Sequence, residues 1–521
     1  MPQSYTYPGV YVEEIASGVR TIAGVSTSDT AFVDFFKQGP VDIPIRISSY
    51  GDFERTFGGL DSRSAASYAI QQYYLNGGSI AYVVRVTERD DNGLPVADTA
   101  SLTLTGGAVR IDASSPGTWS NDRIRVSLPS GAASGAFNLR IEWLADTSTS
   151  AAVLATENFL SLSMNPASAR YAPHVLEANS ALARVVHTDV TDVDVPTGLP
   201  DPDRLQGGSD GVLPGSDEWR TAEGAAAIQG SQAAKTGLYA LDTIAPFVFN
   251  ILCLPGAADL ESADMDVVYK AALTFVEEKR AFLILDVPEN TPFDSMDSYL
   301  ADHGYTGKNA AIYFPRLRIA DALQGNTVRE MAPSGTLAGI YARTDASRGV
   351  WKAPAGTDAT MRNASVALKF NDNENGALNQ LGVNMLRSFP VYGDIVWGAR
   401  TIDGADQKAS EWKYVPVRRI TLFIEESLYQ GLKWVVFEPN DEPLWSQIRL
   451  NVGAFMNGLF RQSAFQGKTS REAYFVKCDR ESTTQNDIDR GIVNIVVGFA
   501  PLKPAEFVVL KIQQIAGQIQ V

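Results

Sequence analysis

Histidine and cysteine are nearly missing from this chain of 521 residues, which holds three of the first and two of the second. Cys253 and Cys478 lie far apart in sequence. They form no disulfide framework and no zinc spacing, and read as two small buried hydrophobes. His174, His187 and His303 stand at no metal-ligand spacing from one another, from a cysteine or from paired carboxylates. Neither a metal nor any other cofactor is expected. Long apolar runs are missing too: none approaches the ~18 residues that a membrane span needs, so membrane insertion is not expected. An excess of positive charge is also lacking, with 44 Lys and Arg against 60 Asp and Glu and a formal net charge of −16. So acidic a chain disfavours contact with nucleic acid. The first residues carry Glu13 and Glu14 around no apolar core, which does not read as a secretory signal and leads us to expect synthesis in the cytoplasm.

What is present is a long, ordinary globular composition, 45% hydrophobic, enough for several domains. Charge is unevenly spread. Residues 401–521 hold 14 basic and 14 acidic residues, so the whole acidic excess lies in residues 1–400. The neutral end reads as the part that packs against other protein.

The expected fold is a multidomain α+β and α/β chain, with a mixed-sheet core domain, an inserted mostly β outer domain and a C-terminal α+β domain. Strand-forming arms flank it at both ends. Residues 1–20 read as the N-terminal arm. Residues 21–88 open the core, with strands at 31–35, 45–47 and 80–86 and a helix over 63–75 stopped by Gly77-Gly78. Residues 89–205 turn to Ser, Thr, Gly and Asp with short alternating runs such as Leu139-Arg140-Ile141-Glu142-Trp143, the pattern of an inserted antiparallel domain. Residues 206–400 return to α/β, with apolar strands at 247–252, 281–286 and 310–314 and a helix over 262–278. Residues 401–504 form the α+β domain. Its first helix places Ile420, Phe423, Ile424 and Leu428 on one face, and Trp434-Val435-Val436-Phe437 reads as a strand. Asn440 or Asp441 caps a second helix with Pro443 in its first turn. Its stripe is Trp445, Ile448, Val452, Phe455, Met456 and Leu459. Strands over 473–477 and 492–497 complete the domain, and residues 505–521 are the C-terminal arm.

Strings that imitate catalytic motifs lack their context. Gly207-Gly208-Ser209-Asp210-Gly211 matches the nucleophile string of a serine hydrolase, which needs a strand before the serine and a helix after it. Here Asp201-Pro202-Asp203 precedes it and Leu213-Pro214-Gly215 follows, as in a glycine-rich turn. Gly467-Lys468-Thr469 ends like a phosphate loop, but Gln462 stands where the first glycine belongs. Glu277-Glu278 and Glu425-Glu426 are adjacent pairs, which do not face each other on a helix. The chain is not expected to be an enzyme. A hydrolase using Ser209 is the alternative from another class, and a surface or adhesin protein a third that would need an export signal.

The two ends are the most informative. Val10-Tyr11-Val12-Glu13-Glu14-Ile15 and Phe507-Val508-Val509-Leu510-Lys511-Ile512 are short extended runs, the second set off by Pro501 and Pro504. Strand-like tails of this kind add to the edge of a sheet, including one in a neighbouring copy. These segments resemble the contractile tail sheath family of myophages, R-type pyocins and phage-tail-like extracellular injection systems. The resemblance rests on Pro8-Gly9-Val10-Tyr11-Val12-Glu13-Glu14, the core opening from Gly24 to Phe36, Tyr50-Gly51-Asp52-Phe53, and Leu205-Gln206-Gly207-Gly208-Ser209-Asp210-Gly211. Most specific are Trp434-Val435-Val436-Phe437-Glu438-Pro439-Asn440-Asp441-Glu442-Pro443-Leu444-Trp445, Phe475-Val476-Lys477-Cys478-Asp479, and Pro501-Leu502-Lys503-Pro504-Ala505-Glu506-Phe507. It covers residues 1–88 and 401–521 well and the middle more loosely.

The resemblance implies a homo-oligomer of stacked, hexameric rings around an inner tube, with baseplate and terminal cap proteins as further partners. It would be assembled in the bacterial cytoplasm as part of a phage tail or tail-like particle. It implies arms that add strands to neighbours, with Gly18, Gly24, Pro501 and Pro504 as hinges. It also implies a C-terminal domain facing the tube, for which Arg449, Arg461, Lys468 and Arg471 are the candidate contacts.

Overall fold

The computed structural model describes residues 20–201, 203–245 and 249–511. It is a mixed α/β fold with several sheets, divided into two compact units. One is Ser26–Arg419. The other joins Met1–Val25 to Ile420–Val521, and the division falls inside the helix Val415–Gly431.

The larger unit is built on an eight-stranded sheet. Its order is Gly393–Val396, Val383–Phe389, Ala310–Phe314, Phe282–Leu285, Ile251–Cys253, Thr30–Asp34, Ala81–Arg85 and Ile45–Ile47. The six central strands run parallel and the two outermost antiparallel. A parallel sheet needs cover on both faces, and the central strands from Ile251–Cys253 to Ala310–Phe314 and Thr30–Asp34 are buried at every residue. Alternate residues serve opposite layers. Ala31, Val33, Leu283 and Leu285 share a cluster with Met265, Tyr269, Ala272 and Val276 of the helix Ser262–Glu278. Phe32 meets the ring of Tyr73, and Phe282 that of Tyr341, on the other side.

That second layer is the helix pair Ala65–Asn76 and Ser334–Arg348. The helices touch backbone to backbone: a Cβ on Gly335 would stand 2.2 Å from the carbonyl oxygen of Ala69, and one on Gly339 would stand 2.5 Å from that of Tyr73. Each helix is pinned at its start by an aspartate at a strand end. Asp34 accepts from the N–H groups of Phe35 (2.8 Å) and Ala66 (2.9 Å). Asp286 accepts from that of Ser334 (2.9 Å). Helix starts favour a negative charge, but burial outweighs this and pushes Asp34 up to about 7 and Asp286 up to about 6.

Residues 101–187 form two antiparallel three-stranded sheets. One is Ser101–Thr103, Val109–Ala113 and Ala183–His187, and the other Ile124–Ser127, Phe137–Leu144 and Val153–Leu162. Burial alternates along Val109–Ala113, as in a sheet with one wet face. A separate apolar cluster, from Ala100 to Leu205, fills the space between them with help from the helix Ala172–Asn179. The chain leaves this region beside the place where it enters, through bridges of Asp98 to Ser209 and Ser101 to Gln206.

Residues 401–419 belong to the larger unit. Arg400 bridges Tyr414, the N–H of Thr401 donates to the carbonyl of Lys413 (3.0 Å), and Arg418 donates to Asn309 (2.6 Å). Arg419 is held hardest. Its guanidinium donates to both oxygens of Asp345 (2.9 and 2.6 Å) and to the carbonyl of Thr27 (2.8 Å) and lies 4.7 Å over the ring of Tyr341. Both side chains of the pair are less than 5% exposed.

In the smaller unit the helix Glu442–Arg461 begins as the sequence predicts, with Asp441 as its cap and Pro443 in its first turn. In its stripe Trp445, Ile448, Val452, Met456 and Leu459 are buried and Phe455 is half-buried. Three predicted strands differ. Trp434–Phe437 is not a strand: Lys433–Val435 makes a single 3-10 turn, closed by bonds from Val435 to Leu432 and from Glu438 to Val435. With helices ending at Gly431 and starting at Glu442, the run closes a tight connection and has no ladder partner. The strand expected over 492–497 runs Val496–Phe499, because Ile492 and Asn494 are already bonded to Asp487 and Thr483. The strand expected from Ala473 starts at Tyr474, after a capped helical turn Ser470–Ala473. In the larger unit, the strand expected over 247–252 is observed as Ile251–Cys253, with 247 and 248 outside the described residues.

Two outcomes follow. Arg419→Met strands Asp345 without its counter-charge, and is expected to lower the unfolding free energy by about 3–5 kcal/mol; denaturant titration measures this, and Arg419→Met/Asp345→Leu recovers most of the loss. For Asp286 the folded state holds the proton more tightly than the unfolded chain does, so its contribution is full below about pH 4 and is lost as pH rises through about 6. The stability of the native chain relative to Asp286→Asn should therefore fall by up to about 3 kcal/mol between pH 4 and 8, read from unfolding midpoints at each pH.

Candidate assembly interface

Residues 20–25 and the C-terminal part of the chain meet although some 400 positions separate them. The N–H of Arg20 donates to Asn451 (3.0 Å), and its guanidinium lies 4.6 Å over the ring of Trp434. Ile22 is buried, in close contact with Gly431. The N–H of Val25 donates to Ser427 (3.2 Å). Gly24 sits under Phe423, where a Cβ would come within 2.8 Å of the ring. The space is what requires glycine there.

The strands Tyr474–Lys477 and Val496–Phe499 form an antiparallel ladder of only two strands. Among the described residues no third strand joins either edge. Alone such a ladder is marginal in water; here the helix Glu442–Arg461 packs against it, and the Tyr474 hydroxyl donates to the carbonyl of Gly453 (3.4 Å). Beyond Phe499 the chain stays anchored a little further: the N–H of Ala500 donates to Ala473 (2.8 Å), that of Gln466 to Ala500 (2.9 Å), and Pro501 bridges Phe465. Residues 502–511 form no strand in this chain, and Phe507, Val508, Val509 and Leu510 are 75–82% exposed. Four consecutive apolar residues in water are an unmet demand for partner surface.

The predicted site residues are distributed as follows. Phe507 to Lys511 are exposed. Val10 to Ile15, Gly18 and Ile512 lie outside the described residues. Pro501 is fastened by its bridge to Phe465, and Pro504 follows it in a stretch that forms no strand in this chain. Arg449 donates to Glu442 (2.5 Å) and to the carbonyl of Cys478, so it is a strut between the long helix and the end of a strand. Arg461, Lys468 and Arg471 are exposed. Arg449 lies twelve residues before Arg461 on one helix, about 18 Å along its axis, so these two do not share a patch. Sequence reasoning missed Val436, Phe437 and Phe475, which are 62%, 103% and 57% exposed. Their apolar runs read as buried strands, and nothing local to them signals otherwise.

Ser209 has no catalytic setting. Its backbone pairs with Asp98 in both directions (2.9 and 3.0 Å), and its hydroxyl accepts from the N–H of Gly211 (3.3 Å). His187 is bonded to Tyr171 and Asp192, and His303 to Asp266. Asp210 is the structural member of the turn. It accepts from the hydroxyl (2.5 Å) and N–H (3.2 Å) of Thr118, and the guanidinium groups of Arg85 and Arg63 stand 3.7 Å away. Burial pushes Arg85 down to about 10 despite that carboxylate. Among the described residues no group of three or more His, Cys, Asp or Glu could hold a metal ion, and no helix is long and apolar enough to cross a membrane.

Residues 407–515, which contain the ladder and the start of the arm, match the family model of the phage tail sheath C-terminal domain. The chain is similar to contractile tail sheath proteins. It is 26% identical over 293 residues to a putative prophage major tail sheath protein of Pseudomonas aeruginosa (strain UCBPP-PA14), covering 55% of this chain and 71% of that one. It is 26% identical over 179 residues to the tail sheath protein of Vibrio phage KVP40, covering 34% of this chain but spanning only a quarter of that relative's length. The fold is similar to that of the PVC sheath complex of an extracellular contractile injection system in its contracted state, with a TM-score of 0.59, 21% identity and 99% of each chain covered.

Asp210→Ala leaves the buried Arg85 without its carboxylate. It is expected to cost about 3 kcal/mol, whereas Ser209→Ala should stay within about 0.5 kcal/mol of the native chain. Thermal unfolding of the two variants side by side checks both.

Proposed function

We propose that this chain is the structural subunit of a contractile tail sheath. It polymerises as stacked, hexameric rings around an inner tube, in an extended metastable state. It shortens when a baseplate triggers it and drives the tube through a target envelope. The observation that carries this is the open two-stranded ladder followed directly by the exposed run Phe507–Leu510. One copy offers a strand and another offers an edge. Main-chain pairing of this kind does not depend on side-chain fit and survives a change of ring packing.

In this reading residues 1–20 and 505–521 are the exchanging arms, and the core is formed by 21–88 and 206–400. Residues 89–205 are the outer domain, and 420–504, the part of the expected 401–504 domain that lies in the smaller unit, face the tube through Arg461, Lys468 and Arg471, with Arg449 as an internal support. Pro504 is the favoured C-terminal hinge, because Pro501 is already anchored. The work of contraction comes from contacts between subunits, so the chain needs neither catalysis nor a cofactor. Terminal cap proteins close the particle, which is assembled in the bacterial cytoplasm.

Electron microscopy of the full-length chain expressed alone should show hollow helical tubes of uniform diameter. Deleting residues 505–521 should leave a monomer with unchanged circular dichroism that no longer polymerises, and deleting residues 1–20 should do the same. Normal tubes from either truncated chain would remove the arm-exchange argument.

A further inference from the structure

We infer that Phe437 is an anchor by which one copy of this chain grips the C-terminal arm of a second copy. The inference rests on the sheath reading and adds a receiving contact to it.

Phe437 is 103% exposed, and its φ is +70°. A bulky aromatic residue rarely adopts this left-handed conformation, and it persists only where the surroundings impose it. Here they do. The N–H of Val435 donates to Leu432 (2.9 Å), that of Glu438 to Val435 (3.2 Å) and that of Asp441 to Pro439 (3.0 Å). Asn440 donates to the carbonyl of Ile492 (3.0 Å) and accepts from the indole of Trp445 (2.9 Å). The loop is tied on both sides of Phe437, and the strained residue is fully exposed. Val436 beside it is 62% exposed. A rigid, strained loop that holds an aromatic ring in water does nothing for the isolated chain. It pays back only when a partner covers the ring.

The partner is the arm of a second copy. The same compact unit carries Phe507–Leu510 with the same unmet demand. In a polymer of one chain each copy presents both features, and a head-to-tail contact satisfies both at once. Glu438 and Asp441 follow the aromatic and Lys511 follows the apolar run of the arm, so an arm whose end lies beside Glu438 brings opposite charges together, with Glu506 at its other end nearer Lys433.

The test places photoactivatable benzoylphenylalanine at position 437 of the full-length chain, which is assembled alone and with its tube protein and then irradiated. Ladders of covalently joined copies, with the link mapped to residues 505–511, are expected. Assembled tubes that link only to the tube protein, only within one chain or not at all overturn the inference while leaving the sheath reading in place. An unsubstituted chain that forms no polymer overturns both. As a second measure, Phe437→Gly relieves the backbone strain and removes the ring. It should raise the thermal midpoint of the monomer while raising the critical concentration for polymerisation about tenfold, and Phe437→Tyr should restore it. A critical concentration unchanged by Phe437→Gly refutes the inference.

Discussion

An antiparallel ladder of two strands leaves a row of backbone donors and acceptors unpaired along each outer edge. In Tyr474–Lys477 and Val496–Phe499 those rows belong to a unit whose helices are otherwise well packed, with Trp445, Ile448 and Val452 buried in the long helix. Buried backbone groups are almost always paired, and exposed edges invite pairing from outside. The incompleteness is therefore directional. It asks for strands, and the chain carries a strand-like segment immediately after the ladder. The fastening of Ala500 and Pro501 fixes the point from which that segment departs.

The rest of the molecule is finished. The eight-stranded sheet is covered on both faces, its helices are pinned at their first turns by Asp34 and Asp286, and Arg419 is neutralised by Asp345 where water does not reach. Close-packed interiors transmit displacement without deforming much.

Much of this was legible in the sequence where a period or a punctuating residue repeats the geometry. The stripe from Trp445 to Leu459 follows the helical period, Asp441 and Pro443 mark the helix start, and Gly77 marks a helix end in the left-handed conformation its terminus requires. The apolar run Trp434–Phe437 was misread because burial, which no short window reveals, separates a core strand from an exposed turn. Arg449 looked free because its partners, Glu442 and the carbonyl of Cys478, are seven and twenty-nine positions away. Residues 401–419 were read with the C-terminal domain, yet Arg418 and Arg419 bond to Asn309 and Asp345. Pairings at such separations leave no local trace.

The insertion between residues 89 and 205 enters and leaves through neighbouring residues, Asp98 beside Ser209 and Ser101 beside Gln206. A loop whose ends are clamped together imposes no distance on the structure that hosts it. Its apolar cluster is its own, so its size, shape and surface are free variables that the core strands never register. The paired entry and exit also mark where a foreign domain could replace the native one.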